Sequence, residues 1–327
     1  MTQTSANVVG VADPAIRGPW VAHDRPPLSG LQTVMIELSC GKSRLTLLSE
    51  TGGSAGLWKR DGKDIFLPTP NAALRALNGV AVGAYPLIPY SNRIANGRFS
   101  FGGQSYDLAP NMADHPHTIH GNAWEQAWTI AHQGESHAVL TLDHIPQDND
   151  QAWPFAYRAA LSYQLTDAGL DVQIAIENRS EAEQPVGFGF HPFLAAEENA
   201  TLSFDAEKVW LTSPDGLPVQ DVPCDGEWSF HTTKPAHDRF VDNCFAGFGG
   251  RVVLKRPDDG LAVTVEADPI FKHLVVFTSP DSPFVAVEPV TNMTDAINQA
   301  DVVGSGLHLL KPKTRIGGRM RFRVQAL

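Results

Sequence analysis

Alternation of apolar and polar residues is the strongest pattern along this chain. Apolar side chains recur at every second position from Leu161 to Leu165 and again from Val172 to Ile176, and a Thr166 to Gly169 turn separates the two runs. A period of two is typical of a strand with one buried face. The pattern therefore predicts a β-hairpin over residues 161–176.

A second hairpin and further strands follow from the same pattern. Arg251 to Leu254 and Leu261 to Val265 flank a Pro257 to Gly260 turn. Further strands are predicted at Met35 to Leu38, Leu45 to Leu48, Ala138 to Leu142, Leu274 to Phe277, Phe284 to Val287 and Met320 to Val324. Helical periodicity is weak, and only Ala72 to Leu77 and Met293 to Ala300 are candidates. Many strands without βαβ alternation predict an antiparallel all-β fold, a sandwich or a barrel.

Length and composition set the domain organisation. The chain has 327 residues, of which 43% are apolar and 19% charged, as in ordinary globular proteins. Its 28 glycines and 24 prolines are scattered rather than gathered into a linker, which fits many turns. Since all-β domains often reach this size, we expect one domain over residues 31–327. Residues 1–30 are expected to form an N-terminal arm or leader.

Charge and cysteine content exclude several classes of partner. The formal net charge is -11, from 36 acidic and 25 basic side chains, and no Lys/Arg cluster is present. Nucleic-acid and membrane partners are therefore not expected. No apolar run approaches the roughly 20 residues of a membrane span, and the N-terminal segment is polar, so a cytoplasmic location is expected. Cys40, Cys224 and Cys244 are far apart, which suggests neither a disulfide framework nor a thiolate metal cluster.

Four ionisable residues stand inside apolar or turn-rich segments and are the first candidates for chemistry. They are Arg93, His120, His191 and Glu288. A charge taken out of water without a partner is strongly disfavoured, so these groups must satisfy one another or face a polar ligand. A functional site is therefore expected where they converge.

Glu288 follows an apolar run that reads as a buried strand. Alternation places it on one face of that strand with Phe284 and Ala286. Its carboxylate is either the partner of a buried arginine or a general base. Because Pro289 cannot donate to a sheet ladder, the strand is expected to end there, at a rim or cavity mouth.

His191 and Arg93 each allow a structural and a functional interpretation. His191 lies between Phe190 and Pro192 and is either a satisfied core residue or a proton-transfer group, since its ordinary pKa of about 6.5 suits that task. Arg93 forms either an ion pair across the sheet or a fork of donors aimed at ligand oxygens. Arg98, nearby, is expected to be solvated.

A cluster of histidines raises the alternative of a metal site. His115, His117 and His120, with Glu125 nearby, are residue types that hold zinc, iron or manganese. However, Pro116 lies between the first two, and the spacing to Glu125 is longer than that of the cupin metal-binding pattern. The other interpretation of His115 and His117 is as polar loop residues before a strand.

Several motifs, taken in order, resemble the aldose 1-epimerases, also called galactose mutarotases. The motifs are Tyr85 to Ile94 continuing to Phe99, Ile119-His120-Gly121, Gly189 to Phe193, Val241 to Phe245, Glu288-Pro289 and Asp295 to Asn298. They extend over nearly the whole chain from about Val34. The chain departs from the better-known members at Asn122, where those have a second glycine, and around His191, which suggests a divergent bacterial-type branch.

The resemblance implies a large antiparallel β-sandwich with a sugar cleft on one sheet face and no cofactor or metal. It casts Glu288 as general base and His191 as general acid. It also casts Arg93, His120 and Asp242 as residues that hold the sugar. The partner is then a small-molecule sugar, and the protein is expected to be a monomer or homodimer.

Interconverting the two anomers of an aldose requires a base at the C1 hydroxyl and an acid at the ring oxygen. We therefore expect Glu288 and His191 to lie on opposite sides of one pyranose-sized hollow. Three alternatives remain open. They are an epimerase of hexose 6-phosphates, a glycoside hydrolase using Glu288 and Asp242, and a non-catalytic carbohydrate-binding module of the same fold.

Overall fold

The structure is a computed structural model, and it describes residues 35–70, 82–112, 115–147, 151–299 and 301–327. The expected arm over residues 1–30 and the helix candidate Ala72 to Leu77 lie outside these ranges, and the single domain over 31–327 stays a prediction. Within the described ranges no helix reaches seven residues. The short helices there are 3-10 turns at Ala95–Gly97, Ala123–Glu125, Gly226–Trp228 and Ala296–Asn298.

Strands make up most of the described chain. The first thirteen are β1 (Met35–Cys40), β2 (Ser43–Leu48), β3 (Ser54–Arg60), β4 (Lys63–Asp64), β5 (Ala84–Leu87), β6 (Arg93–Ile94), β7 (Arg98–Phe101), β8 (Gln104–Asp107), β9 (Thr118–Ile119), β10 (Thr129–Gln133), β11 (His137–His144), β12 (Tyr157–Thr166) and β13 (Gly169–Asn178). The others are β14 (Gln184–Val186), β15 (Gly189–Ala195), β16 (Thr201–Phe204), β17 (Lys208–Thr212), β18 (Pro218–Pro223), β19 (Lys234–Pro235), β20 (Val241–Ala246), β21 (Arg251–Arg256), β22 (Leu261–Ala267), β23 (His273–Thr278), β24 (Phe284–Val290), β25 (His308–Leu310) and β26 (Arg315–Ala326).

Two large sheets organise these strands. The first has the order β1-β2-β3-β5-β15-β24-β23-β20-β17-β18, with β4 beside β3. The second has the order β10-β11-β12-β13-β26-β22-β21-β16-β19. Strand pairs β14–β25, β6–β9 and β7–β8 are separate small ladders. Neighbouring strands of both sheets are antiparallel, which confirms the predicted all-β antiparallel class.

The main core lies between the two sheets. Trp58 of β3 and Phe66 contact Phe322 of β26 edge to face, with ring centroids 6.1 Å and 5.6 Å away. All three side chains are fully buried. Burying a large apolar side chain contributes about 1.5–3 kcal/mol, so such contacts fix one face of the first sheet against the second. The opposite face of the first sheet does not contact the second sheet and is called the outer face below.

Alternation along β24 divides its side chains between these two faces. Val285 and Val287 belong to the main core, whereas Phe284 and Ala286 belong to a second apolar cluster on the outer face of the first sheet. Glu288 shares the outer face with the latter two, as the sequence predicted. The strand does not end at Pro289, however. It continues to Val290 because β23 pairs with both Pro289 and Val290.

The other predicted elements can be compared directly. Both hairpins are confirmed, since β12 pairs with β13 up to their turn and β21 pairs with β22. The predicted helix from Met293 is wrong within the described residues, where only the Ala296–Asn298 turn forms. Asp295 has a φ of +56°, which is incompatible with a continuous right-handed helix. No helix in the described ranges is both long and apolar enough to cross a bilayer.

Candidate active site

A histidine and a carboxylate meet on the outer face of the first sheet. Nε2 of His191 on β15 lies 3.1 Å from Oε1 of Glu288 on β24, and both side chains are buried. The pairing of Phe193 with Ala286 sets the register that brings them together, because side chains opposite each other on neighbouring strands lie about 5 Å apart. The expectation that they face each other across a hollow is wrong, since they stand side by side on one wall.

Aromatic side chains fix the plane of the His191 ring. Tyr85 of β5 stacks on the imidazole, with ring centroids 4.7 Å apart and planes inclined by 21°. Phe193 contacts the same imidazole at 4.4 Å. Tyr85 and Phe193 belong to the apolar cluster of the outer face. The imidazole therefore has little freedom to turn away from Glu288.

Burial shifts both members of this pair away from their charged forms. Loss of water lowers the pKa of His191 to about 3. It also raises the pKa of Glu288 well above its ordinary value, and the nearby Asp242 charge adds to the rise while Arg93 opposes it. Oε2 of Glu288 is buried and has no hydrogen-bond partner among the described residues. Burial therefore favours the uncharged forms, a neutral imidazole beside a protonated carboxyl group, and the 3.1 Å contact couples their titration.

Arg93 stands beside this pair in a network of its own. Its Nη2 lies 3.4 Å from Oδ2 of Asp242 on β20, and its Nη1 donates to the side-chain oxygen of Asn92 at 3.1 Å. Its Nε donates to Nε2 of His115 at 3.1 Å. The ion pair that the sequence allowed is therefore present, and it lies at the site rather than away from it. Arg98, as expected, pairs with Asp107 at the exposed surface.

His120 lies over the pair from the loop after β9. Its φ is +62°, and its Nδ1 accepts a hydrogen bond from the backbone N–H of Asn92 at 3.1 Å. Burial lowers the pKa of His120 well below its ordinary value, so the ring is neutral and its proton lies on Nε2. The ring stands nearly perpendicular to that of His191, 5.5 Å away. His120 can therefore donate one hydrogen bond into the site.

Backbone geometry explains the glycine that follows His120. A Cβ on Gly121, whose φ is +70°, would overlap the carbonyl oxygen of Ile88. Only glycine fits this close approach. Asn122, the departure from the family pattern, accepts a hydrogen bond from the Tyr157 hydroxyl at 2.7 Å. Asn122 therefore anchors the loop to the second sheet.

The histidines considered as metal ligands have other partners. His117 pairs with Asp215 at 3.2 Å, and its Nδ1 accepts from the backbone N–H of Asn96 at 2.9 Å. Nε2 of His115 accepts a hydrogen bond from Nε of Arg93. Across the described ranges, no three histidine, cysteine or acidic residues are grouped so that they could hold a metal ion.

All five residues singled out from the sequence meet at this site, but their supports were missed. Tyr85 and Asn92 lie in the motif Tyr85 to Ile94, but the sequence predicted no role for either. For His115 it predicted a loop residue or a metal ligand. Gly216, in the turn between β17 and β18, touches the Arg93 guanidinium closely. No local sequence signal identifies these supports, because each acts through a contact distant in sequence.

Comparison with known proteins agrees with this architecture. The family model described as aldose 1-epimerase matches residues 35–323. The chain is 26% identical over 302 residues to the uncharacterized protein YphB of Escherichia coli K12, which covers 89% of this chain and 98% of that protein. It is 28% identical over 228 residues to the aldose 1-epimerase of Escherichia coli K12, covering 63% of this chain and 62% of that enzyme.

A solved structure is similar in fold. A galactose mutarotase-like protein from Clostridium acetobutylicum superposes with a TM-score of 0.80 at 20% identity, covering 90% of this chain and 96% of that one. At this identity the likeness concerns the fold alone. The family model, by contrast, extends over nearly all of the described residues and includes every residue of the site. The chain belongs to the aldose 1-epimerase family.

Proposed function

We propose that this protein is an aldose 1-epimerase that interconverts the α and β anomers of a free aldose, with Glu288 as general base and His191 as general acid. One observation carries the proposal. The imidazole and the carboxyl group lie 3.1 Å apart, buried together on a sheet face that also bears Asp242. Binding a sugar needs hydrogen bonds, but it does not need a proton-sharing pair.

The proposed reaction moves two protons. Glu288 takes the proton of the C1 hydroxyl while His191 gives a proton to the ring oxygen, the bond from C1 to the ring oxygen breaks, and the C1 carbonyl forms. Rotation about the C1–C2 bond presents the other face of the aldehyde. Ring closure then reverses both transfers, so His191 recovers its proton and Glu288 returns the other. Such positioned proton transfers contribute about 10²–10⁴-fold each.

The shared proton of the resting pair fits these roles. The reactive arrangement has this proton on Nε2 of His191 and leaves Glu288 ionised, which burial alone disfavours. The direct 3.1 Å contact and the Arg93 guanidinium act in the opposite direction, since each stabilises a negative carboxylate. Hydroxyl groups of a bound sugar supply further hydrogen bonds to both. No cofactor is required for either step.

Three residues are assigned to hold the sugar. Arg93 and Asp242 offer charged hydrogen-bonding groups beside the pair, and the neutral His120 offers Nε2–H. Hydrogen bonds that involve a charged group are worth about 1.5–3 kcal/mol each, which is enough to orient a small polar ligand. The partner of the protein is accordingly a small-molecule sugar.

Polarimetry tests the proposal directly. Freshly dissolved α-D-galactose and α-D-glucose lose their initial rotation slowly in water, and the protein is expected to accelerate this decay. Glu288→Gln and His191→Asn should each reduce the rate by at least about 10²-fold while thermal unfolding stays cooperative. His231→Asn is the matched control, because His231 pairs with Asp205 at the exposed surface and with no residue of the site. Near-normal turnover in either site variant would refute the assigned roles.

The same experiments separate the alternatives. Binding of these sugars without faster decay of rotation would indicate a carbohydrate-binding module. Decay accelerated only for a hexose 6-phosphate would indicate the phosphate-specific epimerase. Release of reducing sugar from a glycoside would indicate a hydrolase, for which the 3.1 Å contact between His191 and Glu288 has no evident use.

A further inference from the structure

His115 contacts Arg93 in an unusual way, because an imidazole accepts a hydrogen bond from a guanidinium. Nε of Arg93 donates to Nε2 of His115 at 3.1 Å. Arginine has no acceptor and stays protonated, so Nε2 must carry a lone pair rather than a proton. Nδ1 of His115 lies 3.1 Å from the backbone carbonyl oxygen of His117 and 3.2 Å from the backbone nitrogen of the same residue. Because Nε2 carries the lone pair, the single ring proton is on Nδ1, which donates it to the carbonyl oxygen rather than accepting from the backbone N–H. Both nitrogens are thus assigned, and the ring is neutral.

The contact with His115 holds Nε of Arg93, and the other two nitrogens of the guanidinium already have partners. Nη1 and Nη2 of Arg93 face Asn92 and Asp242, on the side where the sugar is proposed to bind. Without an acceptor at Nε, the guanidinium keeps only its contacts to Asn92 and Asp242 and can rotate about the Arg93 side-chain bonds. His115 touches neither His191 nor Glu288 among its hydrogen-bond and ring contacts.

We propose that His115 is a positioning residue for sugar binding, an imidazole acceptor that holds the Arg93 guanidinium while the ring is neutral and releases it when the ring is protonated. The inference rests on the proposed function and adds to it a residue and a pH dependence of binding. A protonated Nε2 would point a donor at a donor, and two positive charges would lie 3.1 Å apart.

Burial, more than the surrounding charges, keeps the His115 ring neutral near pH 7. Desolvation lowers the pKa of His115 below its ordinary value, and the positive charges of Arg93 and of a protonated His117 act in the same direction. The His117 carbonyl and Asp242 oppose them. His120 lies within electrostatic range of His115, and Asp215 pairs with His117. Release of Arg93 is therefore expected only at acid pH, below about 6.5.

The test measures sugar binding separately from turnover. The dissociation constant of D-galactose is measured by isothermal titration calorimetry at neutral and acid pH, and kcat by polarimetry. In the wild-type protein, Kd is expected to rise about tenfold towards acid pH. In His115→Gln, whose side-chain oxygen accepts at the same place but does not titrate, Kd should be close to the neutral wild-type value at both pH values. His115→Phe should raise Kd about tenfold at both.

Nitrogen-15 NMR of the histidine rings provides a readout independent of sugar. At neutral pH the Nε2 resonance of His115 should be that of an unprotonated nitrogen, and it should move to the protonated range together with the rise in Kd. The His231→Gln variant is the control and should leave both measurements unchanged.

The outcomes distinguish this inference from the proposed function. A wild-type rise in Kd at acid pH that persists unchanged in His115→Gln, or a protonated Nε2 at neutral pH, would overturn the role of His115 while leaving the epimerase intact. A pH-dependent Kd that disappears in His115→Gln, without any acceleration of mutarotation, would uphold the role of His115 and overturn the epimerase. Absence of sugar binding would overturn both.

Discussion

Gly216 lies in the turn between β17 and β18, directly against the Arg93 guanidinium. A Cβ built on Gly216 would lie 2.6 Å from Cζ and 2.7 Å from Nε of Arg93. Carbon atoms pack at about 3.5–4.0 Å, so Gly216→Ala must displace the guanidinium by about 1 Å. Its bonds to His115 and Asp242, at 3.1 Å and 3.4 Å, cannot both survive such a shift.

Two separate effects follow, and their magnitudes differ. The φ of Gly216 is +81°, where a residue with a Cβ loses about 1–2 kcal/mol. The clash itself adds little to the free energy of unfolding, because the far end of an arginine side chain is flexible. A 1 Å misplacement of a binding group, however, costs up to about 10²-fold in catalytic efficiency. We therefore expect kcat/KM to fall by between about 10 and 10²-fold.

Gly62→Ala is the matched control. Gly62 has a φ of +80° in the turn between β3 and β4, and a Cβ there would meet no atom within 4 Å. Both variants should lose about 1–2 kcal/mol in the free energy of unfolding measured by urea denaturation. Only Gly216→Ala should lose kcat/KM, measured by polarimetry over a range of galactose concentrations. Equal kcat/KM in the two variants, with equal stabilities, would refute the role given to this turn.

Three further predictions follow from the same site. Burial lowers the pKa of His191 to about 3 and raises that of Glu288, so the singly protonated pair should give kcat a bell-shaped pH profile. Its acidic limb should lie near pH 3 and its alkaline limb well above the ordinary pKa of a carboxyl group; an alkaline limb at that ordinary value would contradict this. Asp242→Asn removes a charge that raises the pKa of Glu288, so the alkaline limb should move to lower pH, and an unchanged limb would argue against this coupling. Tyr157→Phe removes the hydroxyl that donates to Asn122 at 2.7 Å. Urea denaturation should show a free energy of unfolding lower by about 1–3 kcal/mol, and polarimetry should show an unchanged kcat.

The face of each strand could be predicted from the sequence, but the ends of the elements could not. Period-two alternation correctly assigned Glu288 to the face opposite Val287, because that pattern is local to one strand. The prediction that β24 ends at Pro289 was wrong because β23 continues to pair with β24 as far as Val290. The helix from Met293 was wrong because Asp295 adopts a left-handed conformation. Pairing with a distant strand and the φ of one residue are not local pattern effects.

The sequence by itself determined the all-β class, the family and the identity of the five residues that converge. Each of these can be read from residue types and their order along the chain. Only the tertiary structure decided that His191 and Glu288 stand side by side, because their adjacency depends on β15 pairing with β24. It also decided that His115 and Gly216 contact Arg93. These contacts join segments far apart in sequence, and burial shifts pKa values only once the fold has excluded water.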